Sequence, residues 1–191
     1  MPKKIDHEKR KVEIMSAALE VYAQEGRNAN LSMIAARCGL SRTTVYQYFK
    51  DEAQLYRYAV KYTTDLAFSQ YTSEKWEAIT DPVEKLSRIT EDIMNRADTY
   101  VEQVRNFLKM IDRIDGLADI VNRRTAKLNL YFSRLVRQAV QEGRMKKCSP
   151  HEVADKLEIV LETYLFQMVY FPQNKAKIRA IATDIIRVNL I

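Results

Sequence analysis

The sequence has few of the residues that interrupt helices. Its 191 residues include only four glycines and four prolines, whereas alanine, leucine, glutamate, lysine, arginine and glutamine are frequent. Sheets and hairpins need glycine and proline at their turns, and the frequent residues are good helix formers. Because 47% of the residues are hydrophobic, the chain can also bury a sizeable core. We therefore expect an all-α protein.

Cysteine and histidine are equally scarce. Cys38 and Cys148 lie far apart in the sequence and indicate neither a disulfide nor a zinc site. His7 and His151 stand in charged surroundings beside predicted helix starts, and the chain lacks a phosphate-binding glycine loop and a nucleophile elbow. We expect no enzymatic activity, no metal and no cofactor.

Long apolar runs are missing as well. No stretch approaches the roughly 18 uncharged apolar residues of a membrane helix. The opening residues, Met-Pro-Lys-Lys-Ile-Asp-His-Glu, lack the apolar segment of a signal peptide. Neither a membrane span nor export is indicated, so the expected location is the cytoplasm.

Positive charge is concentrated near the start of the chain. The first 50 residues hold nine lysines and arginines against five acidic residues, whereas the remainder holds 22 against 20. Basic residues displace counterions from phosphates when a protein binds nucleic acid. The distribution favours a nucleic-acid contact at one end, although a basic face is more often simply solvated.

Apolar residues recur at helical spacing through most of the sequence. The predicted helices cover residues 8–25, 31–38, 42–48, 52–71, 82–115 in two or three pieces, 117–142, 150–171 and 175–190. Gly39 is expected to end the second helix in a left-handed conformation. Asp51 with Gln54 predicts a capping box. Residues that cap helix N-termini precede five of the helices: Asn30, Ser41, Asp51, Asp81 and Ser149.

Residues 30 to 49 have the pattern of a helix-turn-helix. Small and apolar residues stand where two crossing helices must pack, at Ile34, Ala35, Gly39, Leu40, Val45 and Phe49. The other side chains of the third helix are mostly short and polar, and on its outer face they would reach base edges and phosphates in a major groove. An ordinary helical hairpin is the alternative, but it has no need for so many hydroxyl side chains beside basic residues.

From Lys11 to Leu55 the chain resembles the tetracycline-repressor (TetR/AcrR) family. The family's Ile-Ala, Gly, Ser, Thr, Tyr and Phe correspond to Ile34, Ala35, Gly39, Ser41, Thr44, Tyr46 and Phe49. Beyond Leu55 the resemblance is architectural. It implies an all-α fold of about nine helices, with a three-helix DNA-binding domain at residues 1–50 and a helical bundle for ligand sensing and dimerisation at residues 51–191.

The resemblance and the polar face together predict the DNA-binding residues Asn30, Ser41, Arg42, Thr43, Thr44, Tyr46, Gln47, Tyr48 and Lys50. Arg42 and Gln47 are the candidates for base readout, because arginine can bridge guanine O6 and N7 and glutamine can pair with adenine. Three positions depart from the family, and at the first of them Asn30 stands where threonine is usual. Thr43 replaces a common glycine, and Glu52 replaces a frequent phosphate-binding lysine, whose charge Lys50 is a candidate to supply.

A homodimer is expected because one short recognition helix reads too few base pairs, whereas two related by a twofold axis can read a palindrome. The last two helices offer more apolar positions than packing on one body requires. The resemblance implies that they form a four-helix interface from two chains, although a monomeric core is the alternative. The predicted interface residues are Leu157, Leu161, Tyr164, Leu165, Met168, Ile178, Ile181 and Ile185.

A small-molecule effector is expected from the resemblance. Aromatic and methionine side chains of the middle helices are candidates to line its cavity, although such residues are more often plain core. The candidates are Trp76, Tyr100, Phe107, Met110 and Tyr131.

The sequence therefore predicts a bacterial DNA-binding transcriptional regulator, a ligand-responsive repressor that binds a palindromic operator as a homodimer. One alternative is a TetR-like protein that acts through a protein partner without an operator of its own. Thr43 and Glu52 keep that alternative open. Another is a non-specific DNA binder, which would show salt-dependent binding without sequence preference.

Overall fold

The computed structural model describes residues 6–111 and 114–191, apart from the side chain of Arg27. These residues form ten α-helices and two short 3₁₀ turns, and they contain no β-strand. The helices are α1 (His7–Glu25), α2 (Leu31–Cys38), α3 (Arg42–Tyr48), α4 (Glu52–Gln70), α5 (Glu74–Glu77), α6 (Pro82–Thr99), α7 (Val101–Met110), α8 (Leu117–Gln141), α9 (Pro150–Tyr170) and α10 (Lys175–Arg187).

The all-α prediction is confirmed. The single-turn helix α5 lies in an interval that the sequence left without a helix, and it accounts for a total of ten where about nine were expected. None of the described helices is both long enough and apolar enough to cross a membrane. The opening residues 1–5, on which the expectation about export partly rests, lie outside the described residues.

Most helices begin at the residue that the sequence predicts. The side chains of Asn30, Ser41, Asp81 and Ser149 each accept hydrogen bonds from amides in the first turn of the helix that follows. The start of α4 differs in one detail. The amide of Gln54 donates to Asp51 Oδ1 at 2.6 Å, but Gln54 Oε1 accepts from the amide of Lys50 at 2.7 Å. In a capping box the Gln54 side chain would bond the amide of the capping residue Asp51, but here it bonds the amide one residue before it.

The chain folds into two compact units. The first contains the chain up to Thr64 together with Asn106–Ile120. Asn106 Nδ2 donates to the Tyr22 carbonyl at 2.8 Å, and Arg57 Nη1 donates to the Asp115 carbonyl at 2.7 Å, so polar contacts hold the later segment to the earlier one. The fully buried core side chains include Ile14, Ile34, Val45, Leu55 and Leu117.

The second unit contains Asp65–Arg105 and Val121–Ile191. In this unit α10 packs against α9, and both contact α6. The boundaries between units fall inside α4, α7 and α8, whereas the predicted division after residue 50 concerns function and stays a prediction. The fully buried side chains of the second unit include Leu86, Ile89, Phe132, Val136, Leu157 and Tyr164.

A polar network joins the three packed helices of the second unit. The carboxylate of Asp98 on α6 accepts hydrogen bonds from the Tyr164 hydroxyl at 2.8 Å and from Arg179 Nη2 at 2.9 Å, and Lys175 Nζ lies 2.6 Å from its other oxygen. Burial acts to raise the pKa of Asp98. The contacts with Lys175, Tyr164 and Arg179 outweigh it and lower that pKa below its ordinary value of 3.8.

Candidate nucleic-acid interface

The segment from α2 to α3 is a helix-turn-helix. Gly39 ends α2 in a left-handed conformation, with φ of 65° and ψ of 29°, which an L side chain adopts only with strain. The amide of Leu40 then donates back to the Ala35 carbonyl at 2.9 Å. Leu40 packs half-buried against the core, and Ala35 is buried where the helices meet. The roles predicted for these three residues are confirmed.

The inner and outer faces of α3 differ sharply in exposure. Val45 is fully buried, and Phe49 directly after the helix is 2% exposed. On the outer face Arg42, Thr43 and Gln47 are exposed. Thr43 and Gln47 make no side-chain hydrogen bond to any described residue. Their polar groups are therefore free to contact a ligand.

Arg42 and Tyr46 form a pair on the exposed face. Arg42 Nη2 donates to the Tyr46 hydroxyl at 3.1 Å, and the guanidinium carbon lies 5.4 Å from the centre of the Tyr46 ring. The Tyr46 side chain is 42% exposed, so it is not part of the core. These residues are four positions apart, the spacing at which side chains on a helix meet.

Two of the predicted DNA-binding residues also stabilise helix ends. Asn30 Oδ1 accepts from the amides of Ser32 and Met33 at 3.0 and 3.1 Å. Ser41 Oγ accepts from the Thr44 amide at 3.0 Å and lies 2.8 Å from Thr44 Oγ1. Their caps hold the first turns of α2 and α3, and a DNA contact would use the remaining hydrogen-bonding capacity of these groups.

Tyr48 has a partner that the sequence analysis missed. Its hydroxyl lies 3.1 Å from Nδ1 of His7 in the first turn of α1, and the two ring centres are 5.8 Å apart. No sequence signal indicates this contact, because 41 residues separate the two side chains. The half-buried Tyr48 thus joins α3 to the beginning of α1.

Several cations near α2 and α3 are already paired with acidic side chains. Arg10 Nη1 lies 3.1 Å from Glu13 Oε2, and Lys11 Nζ lies 2.7 Å from Glu8 Oε1. Arg37 Nη1 lies 3.0 Å from Glu20 Oε2. The hydrogen bond to Glu8 also raises the pKa of Lys11. Lys50, by contrast, is exposed, and its ammonium group makes no ion pair with a described residue. Glu52 is half-buried in the first turn of α4.

The residues predicted to bind an effector belong to both units. Trp76, Tyr100 and Tyr131 lie in the second unit, and Phe107 and Met110 lie in the first. Trp76 is buried edge-on against Tyr71, and Tyr131 packs edge-on against Phe68. Tyr100 is 53% exposed, and Phe107 packs against the core of the first unit.

Met110 borders a small cavity in the first unit. That cavity measures about 30 Å³ and is lined by Tyr22, Gly26, Tyr56, Asn106, Lys109 and Met110. Burial raises the pKa of Tyr22 and raises that of Tyr56 to about 12, so both hydroxyls stay protonated at neutral pH. The cavity is far smaller than the roughly 300–1,000 Å³ of small-molecule sites, and the effector residues stay a prediction.

The predicted dimer residues are mostly core residues of the single chain. Leu157 and Tyr164 have no exposed surface, so a partner cannot bury them further. Leu165 and Ile185 are half-buried, and Ile181 is 41% exposed. Five of the predicted interface side chains are buried by the chain itself, and the interface residues stay a prediction: Leu157, Leu161, Tyr164, Met168 and Ile178.

Other apolar side chains of α9 and α10 face outward. Ile159 is 61% exposed, Phe166 48% and Tyr170 42%. Helical periodicity predicts an apolar stripe, but it does not indicate which part of that stripe a neighbouring helix of the same chain covers. The exposed residues were missed for this reason.

In the part of the chain that the structure describes, no group of three or more histidine, cysteine or acidic side chains is arranged to hold a metal ion. Cys38 and Cys148 are free thiols. Burial raises the pKa of Cys38, which favours the thiol over the thiolate.

Residues 14–59, which include α2 and α3, match the family model described as bacterial regulatory proteins, tetR family. A search of curated protein sequences finds no significant match.

Solved structures resemble the chain over nearly its whole length. A TetR transcription regulator from Haloarcula marismortui ATCC 43049 has a TM-score of 0.87 at 15% identity, covering 96% of this chain and 100% of its own. A transcriptional regulator from Rhodococcus sp. Rha1 has a TM-score of 0.75 at 14% identity, covering 94% of this chain and 95% of its own. A Saccharomonospora viridis protein solved in complex with choline has a TM-score of 0.81 at 18% identity, covering 96% of this chain and 98% of its own. At such identities the structures establish a common fold.

Proposed function

We propose, from the premise that this chain belongs to the TetR family of bacterial regulatory proteins, that it is a transcriptional repressor that binds a palindromic operator as a homodimer and leaves it when a small molecule binds. One observation carries the proposal. The outer face of α3 presents Arg42, Thr43 and Gln47 to solvent, while Val45 and Phe49 anchor the opposite side of the segment in the core. A helix held in this way can enter a major groove.

The proposed contacts divide into base readout and phosphate positioning. Arg42 and Gln47 read base edges, because both are exposed and carry paired donors or a donor beside an acceptor. Phosphates and thymine methyl groups are contacted by six other residues of the site: Asn30, Ser41, Thr43, Thr44, Tyr48 and Lys50. Tyr46 belongs to the site through its contacts with Arg42.

The proposed dimer interface uses the exposed apolar face of α9 and α10. Ile159, Phe166 and Tyr170 lie on one face of α9, since their spacings of seven and four residues are whole turns. Ile181 on α10 is exposed as well. Apolar side chains that water contacts in one chain gain most from burial by a second copy. A solution mass near 22.3 kDa at micromolar concentration, that of one chain, would contradict the dimer.

The proposed effector is a small molecule that binds within residues 51–191. The support is indirect: a Saccharomonospora viridis protein with this fold was solved in complex with choline. Choline is therefore the first compound to test, with other small organic cations after it. To release DNA, the effector must favour the non-binding conformation by a few kcal/mol.

A second candidate function is regulation through a protein partner without an operator. The observation that favours it is the weak positive charge of the site. Arg37 and Lys11 are paired with acidic residues, and Glu52 stands in the first turn of α4, where it would repel a phosphate.

Selection of duplexes from a random-sequence library by the purified protein separates these functions. We expect enrichment of a palindrome, followed in anisotropy titrations by tight binding that resists scrambled competitor and weakens as salt rises. Salt-dependent binding without enrichment would indicate a non-specific binder. The absence of binding at low salt would favour the partner-protein function.

Arg42→Ala tests base readout on the selected palindrome. We expect specific binding to weaken by about 1–3 kcal/mol and the preference at one base pair to relax. Arg137→Ala is a matched control, because Arg137 is an exposed arginine of the second unit. An equal loss for all sequences would show that Arg42 contacts only phosphate.

A further inference from the structure

The Arg42–Tyr46 pair lies entirely on the face of α3 that is open to solvent. Both contacts between these side chains, the hydrogen bond of 3.1 Å and the cation–π contact at 5.4 Å, hold the guanidinium against the Tyr46 side chain. Within the described residues, Arg42 has no acidic partner that would compete for it. The tyrosine is therefore its neighbour in the free protein.

The pairing leaves Arg42 able to read a base. A guanidinium has five N–H donors, of which Tyr46 engages one, and a bidentate contact with guanine requires two. The Tyr46 hydroxyl accepts in this bond, so its own proton is still available to donate. The pair can bind DNA without breaking.

Holding the guanidinium in place also lowers the entropy that the side chain loses when DNA binds. A free arginine side chain loses rotamer entropy when it is fixed in one geometry. The short helix α3 is itself fixed by the Ser41 cap and by buried Val45, so Tyr46 offers a stable support. Part of the entropy is then lost before DNA arrives.

We propose that Tyr46 is a positioning residue: it orients Arg42 for bidentate recognition of a guanine, and so determines specificity at a base pair that Tyr46 itself does not contact. The inference rests on the proposed function, since it needs an operator. It differs from a direct phosphate contact by Tyr46, which would raise affinity for every sequence alike.

The test uses the full-length protein and the duplex that the wild-type chain selects from a random library. Affinities for this duplex and for its single-base-pair variants are measured for the wild type, Tyr46→Phe, Arg42→Ala and the double variant. We expect Arg42→Ala to remove about 5- to 150-fold discrimination at one base pair. Tyr46→Phe should reduce discrimination about 2- to 10-fold at that base pair. The double variant should be no worse than Arg42→Ala.

A 7-deazaguanine at the same position provides a second readout. This base lacks the N7 acceptor, so the wild type should lose affinity for it, and Tyr46→Phe should lose less. Tyr62→Phe is the matched control, because Tyr62 is a half-buried tyrosine of the same unit that stacks on Tyr58. It should keep the wild-type discrimination.

Nuclear magnetic resonance of the free protein tests the pair without DNA. Rotation of the Arg42 guanidinium should be slower in the wild type than in Tyr46→Phe, whereas that of Arg137 should be the same in both.

Three results would overturn the positioning role. The first is equal loss of affinity by Tyr46→Phe for all duplexes, multiplied in the double variant, which would assign Tyr46 to phosphate. The second is tighter binding by Tyr46→Phe, which would mean that the tyrosine sequesters Arg42. The third is unchanged guanidinium rotation. If the wild type selects no sequence, the proposed function fails first, and that result is distinct from all three.

Discussion

The helix-turn-helix of α2 and α3 and the helix pair of α9 and α10 differ in how much of their structure the sequence predicts. For α2 and α3, the turn, the caps and most of the buried side chains were predicted at the right residues, although buried Leu31 was missed. For α9 and α10, the helix bounds were predicted within a few residues, but five of eight proposed interface side chains are core residues. Exposure was predicted well in one region and poorly in the other.

The difference follows from the range of the contacts that decide burial. The hydrogen bonds that shape α2 and α3 join residues two to five positions apart, such as Ser41 and Thr44 or Leu40 and Ala35. Burial on α9 and α10 depends on α6, whose Asp98 bonds to Arg179 at a separation of 81 residues. Local patterns contain no record of such a partner.

The largest expected effect is on unfolding free energy, and it distinguishes a core residue of α9 from a proposed interface residue of the same helix. Leu157→Ala removes a fully buried side chain and should lower the free energy of unfolding by about 2–5 kcal/mol. Ile159→Ala, two residues away and 61% exposed, should leave each folded chain nearly as stable but weaken dimerisation. Urea unfolding and sedimentation at several concentrations measure the two quantities. Equal effects of both variants on unfolding would contradict the assignment.

A smaller effect is expected when the long-range polar network is broken. Asp98→Asn should cost about 1–3 kcal/mol in unfolding free energy, because Tyr164, Lys175 and Arg179 lose a charged acceptor. The control is Asp184→Asn, which breaks an exposed pair with Arg187 and should cost less than about 0.5 kcal/mol.

The same network makes stability depend on pH. Because the pKa of Asp98 is lowered on folding, its contribution is present above the ordinary value of 3.8 and is lost as pH falls through the lower value of the folded state. The wild type should lose more stability below about pH 4 than Asp98→Asn does. Parallel pH profiles of the two proteins would argue against the lowered pKa.

In the helix-turn-helix, the expected effects are local and smaller. Gly39→Ala should cost about 1 kcal/mol, because Gly39 has φ of 65°. No atom lies within 4 Å of an added Cβ, so the cost is conformational rather than steric. Gly39→Asn, which tolerates the left-handed region better, should cost less in thermal unfolding. A cost above about 3 kcal/mol would indicate a packing role that the turn does not show.

The smallest effect on stability is expected at Asn30. Asn30→Asp keeps an oxygen that can cap α2, so the unfolding free energy should change by less than about 0.5 kcal/mol. The added negative charge should nevertheless weaken binding to the selected duplex, most strongly at low salt. Unchanged affinity would remove Asn30 from the proposed phosphate contacts.

The candidate site was predictable to the extent that it is built locally. Gly39 indicates the turn and Ser41 the start of α3, and buried Val45 determines which face of α3 points outward. The partners of the outward side chains were not predictable. Tyr48 meets His7 across 41 residues, and a sequence pattern cannot show which rotamer places Arg42 on Tyr46.

The helical class, most helix ends and the polar face of α3 could be predicted from the sequence alone. Caps, glycine turns and the 3.6-residue period act within a few neighbouring residues. Only the tertiary structure decided that Leu157 and Tyr164 are core, that Ile159 and Phe166 face solvent, and that α10 is tied to α6. Burial is a property of which helices pack together, and that depends on contacts between residues far apart in the chain.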